Sequence, residues 1–208
     1  MANMLPADDP ECATYAAHLL KDGEIVCYPT DTVYGIGAAA TSEAAVRRLY
    51  AIKGRQLTKA MPLLIKDSAS ASFVAEVTPL ARTLMSRFWP GALTIVMRKL
   101  PEFRSVALGG QDTVALRVPD HDLVREIIRL LGEPLTGSSA NRSGSRAPVS
   151  AAEVALQMGE MVALVIDGVK AQAGVESTVI DITDTPRIER EGAVSRREIE
   201  EVIGKRLV

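Results

Sequence analysis

Residues 24–41 read EIVCYPTDTVYGIGAAAT. An apolar run, a Pro, two Thr, a Gly-x-Gly and then small residues describe a strand running into a ligand loop. Residues 35–40, GIGAAA, fit G-x-G-x-x-A. A dinucleotide fingerprint, however, places its Gly-x-Gly where the strand turns into a helix, so that the pyrophosphate meets the helix N-terminus. Here PTDTVY separates the strand from Gly35, and the next acid, Glu43, follows Gly37 by only six residues. The region further on, LTKAMPLLI, offers no acid at the end of a second strand. The stretch argues against NAD and for another phosphate or small-molecule loop.

Outward from this loop the chain interleaves helices and strands. Asp9-Pro10-Glu11 predicts a helix start with a capping Asp and Pro at the first helical position, and the helix spans 11–22 before Gly23. A strand is expected over 24–28, then a helix from Ser42 to Lys53 with Ala45, Leu49 and Ile52 on one stripe and Gly54 at its end. MPLLI (61–65) reads as a short buried strand, and Thr78-Pro79 opens a helix to Phe88. Strands are expected over 92–98 and 112–118, followed by a helix over 121–131 with Leu123, Ile127, Leu130 and Leu131 at helical spacing. A very short strand near 134–137 leads into SSANRSGSRAP. Ser150/Glu153 and Ser195/Glu198 have capping-box spacing, with strands MVALVID and STVIDI between them and RIER as a further candidate. Interleaving of this kind predicts one α/β domain over 1–208 with a mixed sheet, in which 92–98 and 112–118 pair antiparallel.

Composition narrows the function. The 208 residues are 47% apolar, enough for a substantial core, and 4% aromatic, too few for base-stacking platforms. Lys and Arg number 24 against 26 acids, so there is no global basic footprint for nucleic acid. Cys12, Cys27, His18 and His121 show no C-x-x-C or H-x-x-x-H spacing, which argues against structural zinc. The N-terminus lacks a basic and an apolar signal region, and no apolar run is long enough to span a membrane. These features predict a soluble cytoplasmic protein.

Several clusters could carry chemistry. Lys53-Gly54-Arg55 closes a helix; the cations complement the macrodipole or reach a phosphate chain, Lys as a point charge and Arg as a fork. Residues 136–144, TGSSANRSG, form a solvated loop or a nest of N–H groups and hydroxyls for an anion or a ribose. Arg117, at the end of an apolar strand, pairs with a neighbouring acid or clamps a carboxylate. GVESTV (174–179) and Arg190-Glu191-Gly192 complete the set. No Ser–His–Asp order and no carboxylate pair stands out. Thr, Ser, Asn, Lys and Arg suit binding of polar, anionic substrates, with catalysis by positioning and charge stabilisation.

PTDTVYGIG, KGR, PGALTIV, ALRVPDH, SSANRSG, GVESTVID and REG occur in one order over nearly the whole chain. In this the chain resembles the YrdC-type threonylcarbamoyl-AMP synthase family. The resemblance implies a twisted, mixed α/β sheet with flanking helices and a concave central cavity. It implies conversion of ATP, L-threonine and bicarbonate to threonylcarbamoyl-adenylate and pyrophosphate, for threonylcarbamoyladenosine modification of tRNA. Thr32 would contact threonine, with Thr30 and Tyr34 shaping the pocket; Arg117 would hold the threonine carboxylate, Gly137 would offer backbone and Ser177 its hydroxyl. Lys53 and Arg55 would act on the ATP phosphates, and Thr113, Ser139, Asn141 and Arg190 on the nucleotide. Mg²⁺ would join the phosphates, with no carboxylate cluster marking protein ligands.

The sequence departs from longer members of the family at Met61-Pro62, where they carry Asn-Pro, and at Lys66, where they carry His. With the chain ending at Val208, their additional C-terminal domain is expected to be absent, so closure of the site falls to this domain or to a partner. A downstream threonylcarbamoyl transferase complex and tRNA or double-stranded RNA are the implied partners. A YciO-like paralogue with weak synthase activity, or an RNA-binding module on the same scaffold, are the alternative readings.

Overall fold

The computed structural model describes residues 3–207 apart from 170 and 172; Val208 lies outside them. Strand β1 (Asn3–Pro6) precedes helix α1 (Cys12–Lys21). The Asp9 side chain accepts the Glu11 N–H at 2.8 Å, so it closes a turn before the helix and does not cap the helix itself. The expected start at residue 11 therefore moves to 12. Strands β2 (Val26–Tyr28) and β3 (Gly35–Gly37) flank the opening loop. Helix α2 (Glu43–Lys53) begins where Ser42 accepts the Ala45 N–H and ends at Gly54, whose φ of 60° is the left-handed conformation that glycine tolerates best.

Strand β4 (Leu63–Leu64) and a 3₁₀ turn lead to α3 (Pro79–Phe88), capped by Thr78 as expected. Then come β5 (Leu93–Arg98), a second 3₁₀ turn, β6 (Thr113–Arg117) and α4 (Asp122–Leu131). In α4 the buried stripe is Val124, Ile127, Ile128 and Leu131, a rotation of the expected one. It packs with Cys12, Ala16 and Leu20 of α1 in one apolar cluster. Strands β7 (Leu135–Thr136) and β8 (Ser138–Ser139), helix α5 (Ala151–Met158), strands β9 (Leu164–Asp167), β10 (Thr178–Asp181) and β11 (Arg187–Arg190), and helix α6 (Arg196–Ile203) complete the chain. Of the two expected capping boxes, the full one forms at Ser195; at α5 the Glu153 carboxylate reaches the Val149 N–H instead.

The strands form two hydrogen-bonded sheets where one was expected. The first has the order β1-β9-β2-β3-β8 and the second β11-β10-β5-β6-β4-β7, each mixing parallel and antiparallel pairs. Strands β5 and β6 pair antiparallel, as their spacing suggested. The sheets meet where β7 of one and β8 of the other are separated by Gly137 alone. There the Gly137 N–H donates to Pro62 O at 2.7 Å and the Thr136 N–H donates to Ala38 O at 2.9 Å.

The second sheet sorts its residues by the two-residue strand period. One face sends Leu93, Ile95, Met97, Val114, Leu116 and Ile180 into the core. The opposite face carries Thr94, Val96, Thr113, Ala115, Arg117, Val179 and Asp181, which floor a cavity.

Candidate active site

The Gly-x-Gly of the opening stretch lies inside β3, paired antiparallel to β2 on one side and β8 on the other. Its glycines answer to close packing. A Cβ on Gly35 would come within 2.5 Å of the Tyr28 ring, and one on Gly37 within 2.6 Å of Thr136 O. The Tyr28 hydroxyl in turn donates to Thr136 O at 2.8 Å, which locks the first sheet to the segment that enters β8.

A recess of about 730 Å³ opens over the polar face of the second sheet. A second, of about 520 Å³, lies beside it under the 138–147 loop. Arg55, Ser138, Ser139, Glu176 and Arg190 line both, so the two recesses share a wall. Thr32, Thr113, Arg117, Gly137 and Ser177 line the larger recess, and Lys53 and Asn141 the smaller. The fold thus gathers every residue that the resemblance singled out for substrate contact.

At one end Arg117 is 6% exposed and held on three sides. Its Nε donates to Gly91 O at 2.9 Å, Nη1 to the Thr32 hydroxyl at 2.9 Å, and Nη2 to Asp31 at 2.5 Å. Of the two expectations for Arg117, pairing with an acid is therefore realised, inside the core edge. Burial pulls the guanidinium down from its usual range, and the Asp31 carboxylate opposes that. A guanidinium carries five N–H donors, so the three bonds leave donors to spare. Thr32 Oγ1 also lies 3.0 Å from Thr30 Oγ1, and Ser177 Oγ lies 2.8 Å from Thr94 Oγ1.

Tyr34, expected to shape the pocket, does not line it. It is fully buried, and its hydroxyl donates to Gly168 O at 3.0 Å, which fastens the loop from behind. Met61 lines the larger recess, whereas Lys66 lies outside both, exposed, 4.0 Å from Asp67.

At the other end the cations are tied to backbone. Lys53 is 3% exposed, and its Nζ donates to Ser139 O at 2.5 Å and Asn141 O at 2.8 Å. Helix α2 thereby holds the loop that forms the smaller recess. Burial, with Arg55 adding to it, lowers the Lys53 pKa to about 8, while Glu176 and Cys27 act the other way. Arg55 does not project freely into the cleft: its Nη2 donates to Ala60 O at 2.7 Å and its Nε to Lys59 O at 3.3 Å. Ser139 Oγ donates to Asn141 Oδ1 at 2.6 Å, and Asn141 Nδ2 donates to Ser145 O. Arg190 donates from Nη1 to Glu176 at 2.6 Å and from Nη2 to Ser177 O at 2.9 Å.

Sequence reading passed over Asp31, Thr94 and Glu176. Thr94 carried a signal, as a hydroxyl in the otherwise apolar run ALTIVM. Asp31 and Glu176 stood inside quoted motifs, but their partners Arg117 and Arg190 are far away in sequence. His121 begins α4 without a side-chain cap bond, and its Nδ1 is buried with no partner.

The chain has counterparts among known proteins. The Sua5/YciO/YrdC family model, described as "telomere recombination", matches residues 18–192. A Bacillus subtilis (strain 168) protein named threonylcarbamoyl-AMP synthase is 40% identical over 203 residues, covering 96% of this chain. Pyrococcus abyssi Sua5, solved in complex with L-threonine, superposes with a TM-score of 0.93 at 38% identity over 100% of this chain. The chain spans 58% of the length of the B. subtilis protein and 62% of the P. abyssi chain. Escherichia coli YciO superposes with a TM-score of 0.85 at 26% identity, with 96% of this chain and 100% of that one covered. Matched along most of its length in sequence and throughout in fold, the chain belongs to the Sua5/YciO/YrdC family.

Proposed function

We propose that the chain is an L-threonylcarbamoyladenylate synthase, joining ATP, L-threonine and bicarbonate into threonylcarbamoyl-AMP with release of pyrophosphate. The observation that carries this reading is the pair of recesses with a common wall. One ends at a buried guanidinium with hydroxyls beside it, the other at a loop held by Lys53. An amino acid at the first end would place its carboxylate on the spare donors of Arg117 and its polar groups near Thr32, Ser177 and the Gly137 backbone. A nucleotide would enter along Thr113, Ser139 and Arg190, with its phosphates toward Lys53, Arg55 and Asn141. Amine and α-phosphorus would then meet at the common wall.

In this reading the threonine amine is carboxylated, the new carboxylate attacks the α-phosphorus, and the Pα–O–Pβ bond breaks. Cations and N–H donors around the phosphates stabilise the charge that develops. Among the described residues no group of three or more His, Cys, Asp or Glu is arranged to hold a metal. In this reading Mg²⁺ would join the phosphates of the nucleotide. The product would serve a threonylcarbamoyl transfer to tRNA adenosine.

The test is incubation with MgATP, L-threonine and bicarbonate, with pyrophosphate measured and the adenylate detected by mass. Product formation supports the reading; no product with all three substrates present sinks it. The end-to-end match to YciO motivates a second reading, a paralogue with altered amino-acid use. ATP binding without threonine preference in calorimetry would favour it. Binding of neither ligand, with salt-sensitive RNA binding, would point to the RNA module instead.

A further inference from the structure

Among the described residues, Glu176, Asp181, Glu189 and Glu191 are the carboxylates that line the recesses. Three have structural work. Asp181 accepts from Thr183 N and Oγ1 and from Arg187. Glu189 faces Arg187 at 3.3 Å, and Glu191 accepts the Arg196 N–H at 3.1 Å.

Glu176 differs. It alone of the four lines both recesses, and its one side-chain partner is Arg190. Its backbone is fastened, since Glu176 O accepts the Ala193 N–H at 3.0 Å. Its side chain is 37% exposed, so a proton taken up there can pass to water. Arg190 is anchored independently, through Nε and Nη2 on Ser177 O at 3.2 and 2.9 Å. Nη1 has a second N–H to offer a phosphate from that fixed position, and freeing Glu176 then takes only rotation of its own half-exposed side chain.

The chemistry proposed above needs such a group. The amino-acid substrate arrives as an ammonium ion and must become an amine before its nitrogen can attack carbon. The other side chains near the common wall do not serve. Arg55, Arg117 and Arg190 have no acceptor, and Lys53 is committed to two carbonyls. Neither histidine lines the recesses.

We infer that Glu176 accepts the proton of the substrate ammonium, and that nucleotide binding frees it for this by offering Arg190 a phosphate in its place. The inference rests on the synthase reading of the site. One ammonium proton goes to Glu176. The nitrogen lone pair forms the N–C bond to the bicarbonate carbon. The bicarbonate hydroxyl leaves as water, carrying a second nitrogen proton, and an N-carboxylate remains. That carboxylate then attacks the α-phosphorus. The Glu176–Arg190 pair thus withholds the base until the nucleotide is in place.

The test begins with wild-type turnover, then compares Glu176→Gln, whose amide oxygen still accepts from Arg190 but takes no proton. The expected result is a loss of about 100-fold or more in product formation at saturating substrates, the contribution of a positioned general base. Dissociation constants for ATP and threonine should stay within about threefold. In Glu176→Ala, added formate should restore turnover, and an unchanged melting temperature would show the variant folded. Retained turnover in Glu176→Gln overturns the inference. So does weakened ATP binding with full turnover at saturation, because Glu176 would then only position Arg190. An inactive wild type would instead overturn the synthase reading itself, and the inference with it.

Discussion

The two ends of the joined recesses are made of different material. The Arg117 end is packed on strands: Arg117 and Thr94 lie in β6 and β5, Thr32 and Ser177 in the segments that enter β3 and β10, and all four are buried and bonded to one another or to backbone. The Lys53 end is built from loops: Ser143, Gly144 and Ser145 are exposed, and one ammonium group reaches across to two carbonyls. A wall of packed strands suits a small ligand of one shape, because little ordering cost remains at binding. A loop wall suits a longer, flexible ligand that settles as it binds.

This contrast is best broken at the strand-built end. Asp31→Ala would leave Arg117 buried without its counter-charge; the side chains are 18% and 8% exposed. Removing one partner of such a pair costs about 3–5 kcal/mol, and urea unfolding should register a loss in that range. A loss below about 1 kcal/mol would mean that water reaches the guanidinium and the wall is less rigid than described. Adding Arg117→Met to Asp31→Ala should recover much of the stability, since the orphaned charge is then gone.

Next in size, Arg117→Ala should raise the threonine dissociation constant about 100-fold, the loss of a charge-assisted bidentate contact. ATP binding should change by less than about threefold. Calorimetry with each ligand separates the two, and the reverse pattern would exchange the roles of the two ends.

At the loop-built end, Lys53→Met should weaken ATP binding about tenfold, the range of one hydrogen bond to a charged group. It should also change the pH dependence. Below about pH 8 the Lys53 ammonium is charged, and above it the amine is neutral. An anionic ligand favours the charged form, so wild-type ATP affinity should fall as pH rises through about 8. In Lys53→Met that fall should vanish. The smallest effect is expected from Arg55→Ala. Loop carbonyls already hold this guanidinium, so ATP use should drop several-fold with about 1 kcal/mol or less of stability lost.

Local signals in the sequence were read well. Ser42, Thr78 and Ser195 cap helices, Gly54 ends α2, and β5 pairs with β6 as its neighbour in the sequence suggested. Strands β1, β3 and β8 were missed for physical reasons. β1 and β8 are four and two residues long, and β3 is a three-residue Gly-Ile-Gly with no alternation to detect. The split into two sheets depends on which strand finds which, and β1 pairs with β9 from the far end of the chain. At the site, motif order gathered residues that line the two recesses. It left open whether Arg117 has an acid partner and did not anticipate the partners of Arg190 and Lys53, because Asp31, Glu176 and Ser139 come to them through tertiary folding. Tyr34 illustrates the same limit: it stands in the opening motif yet faces away from the recess.

The single residue between β7 and β8 has a consequence for how this protein can vary. Leu135–Thr136 belongs to one sheet and Ser138–Ser139 to the other, so the backbone length here is counted against two registers at once. One added residue would turn every following side chain to the opposite face, taking Ser139 out of both recesses. Just beyond, between Asn141 and Ser150, the chain crosses from β8 to α5 outside either sheet and is bound to no such register. A change of length in that second stretch therefore leaves both registers intact, whereas one in the first breaks them, making residues 135–139 a fixed gauge against which the rest of the site is measured.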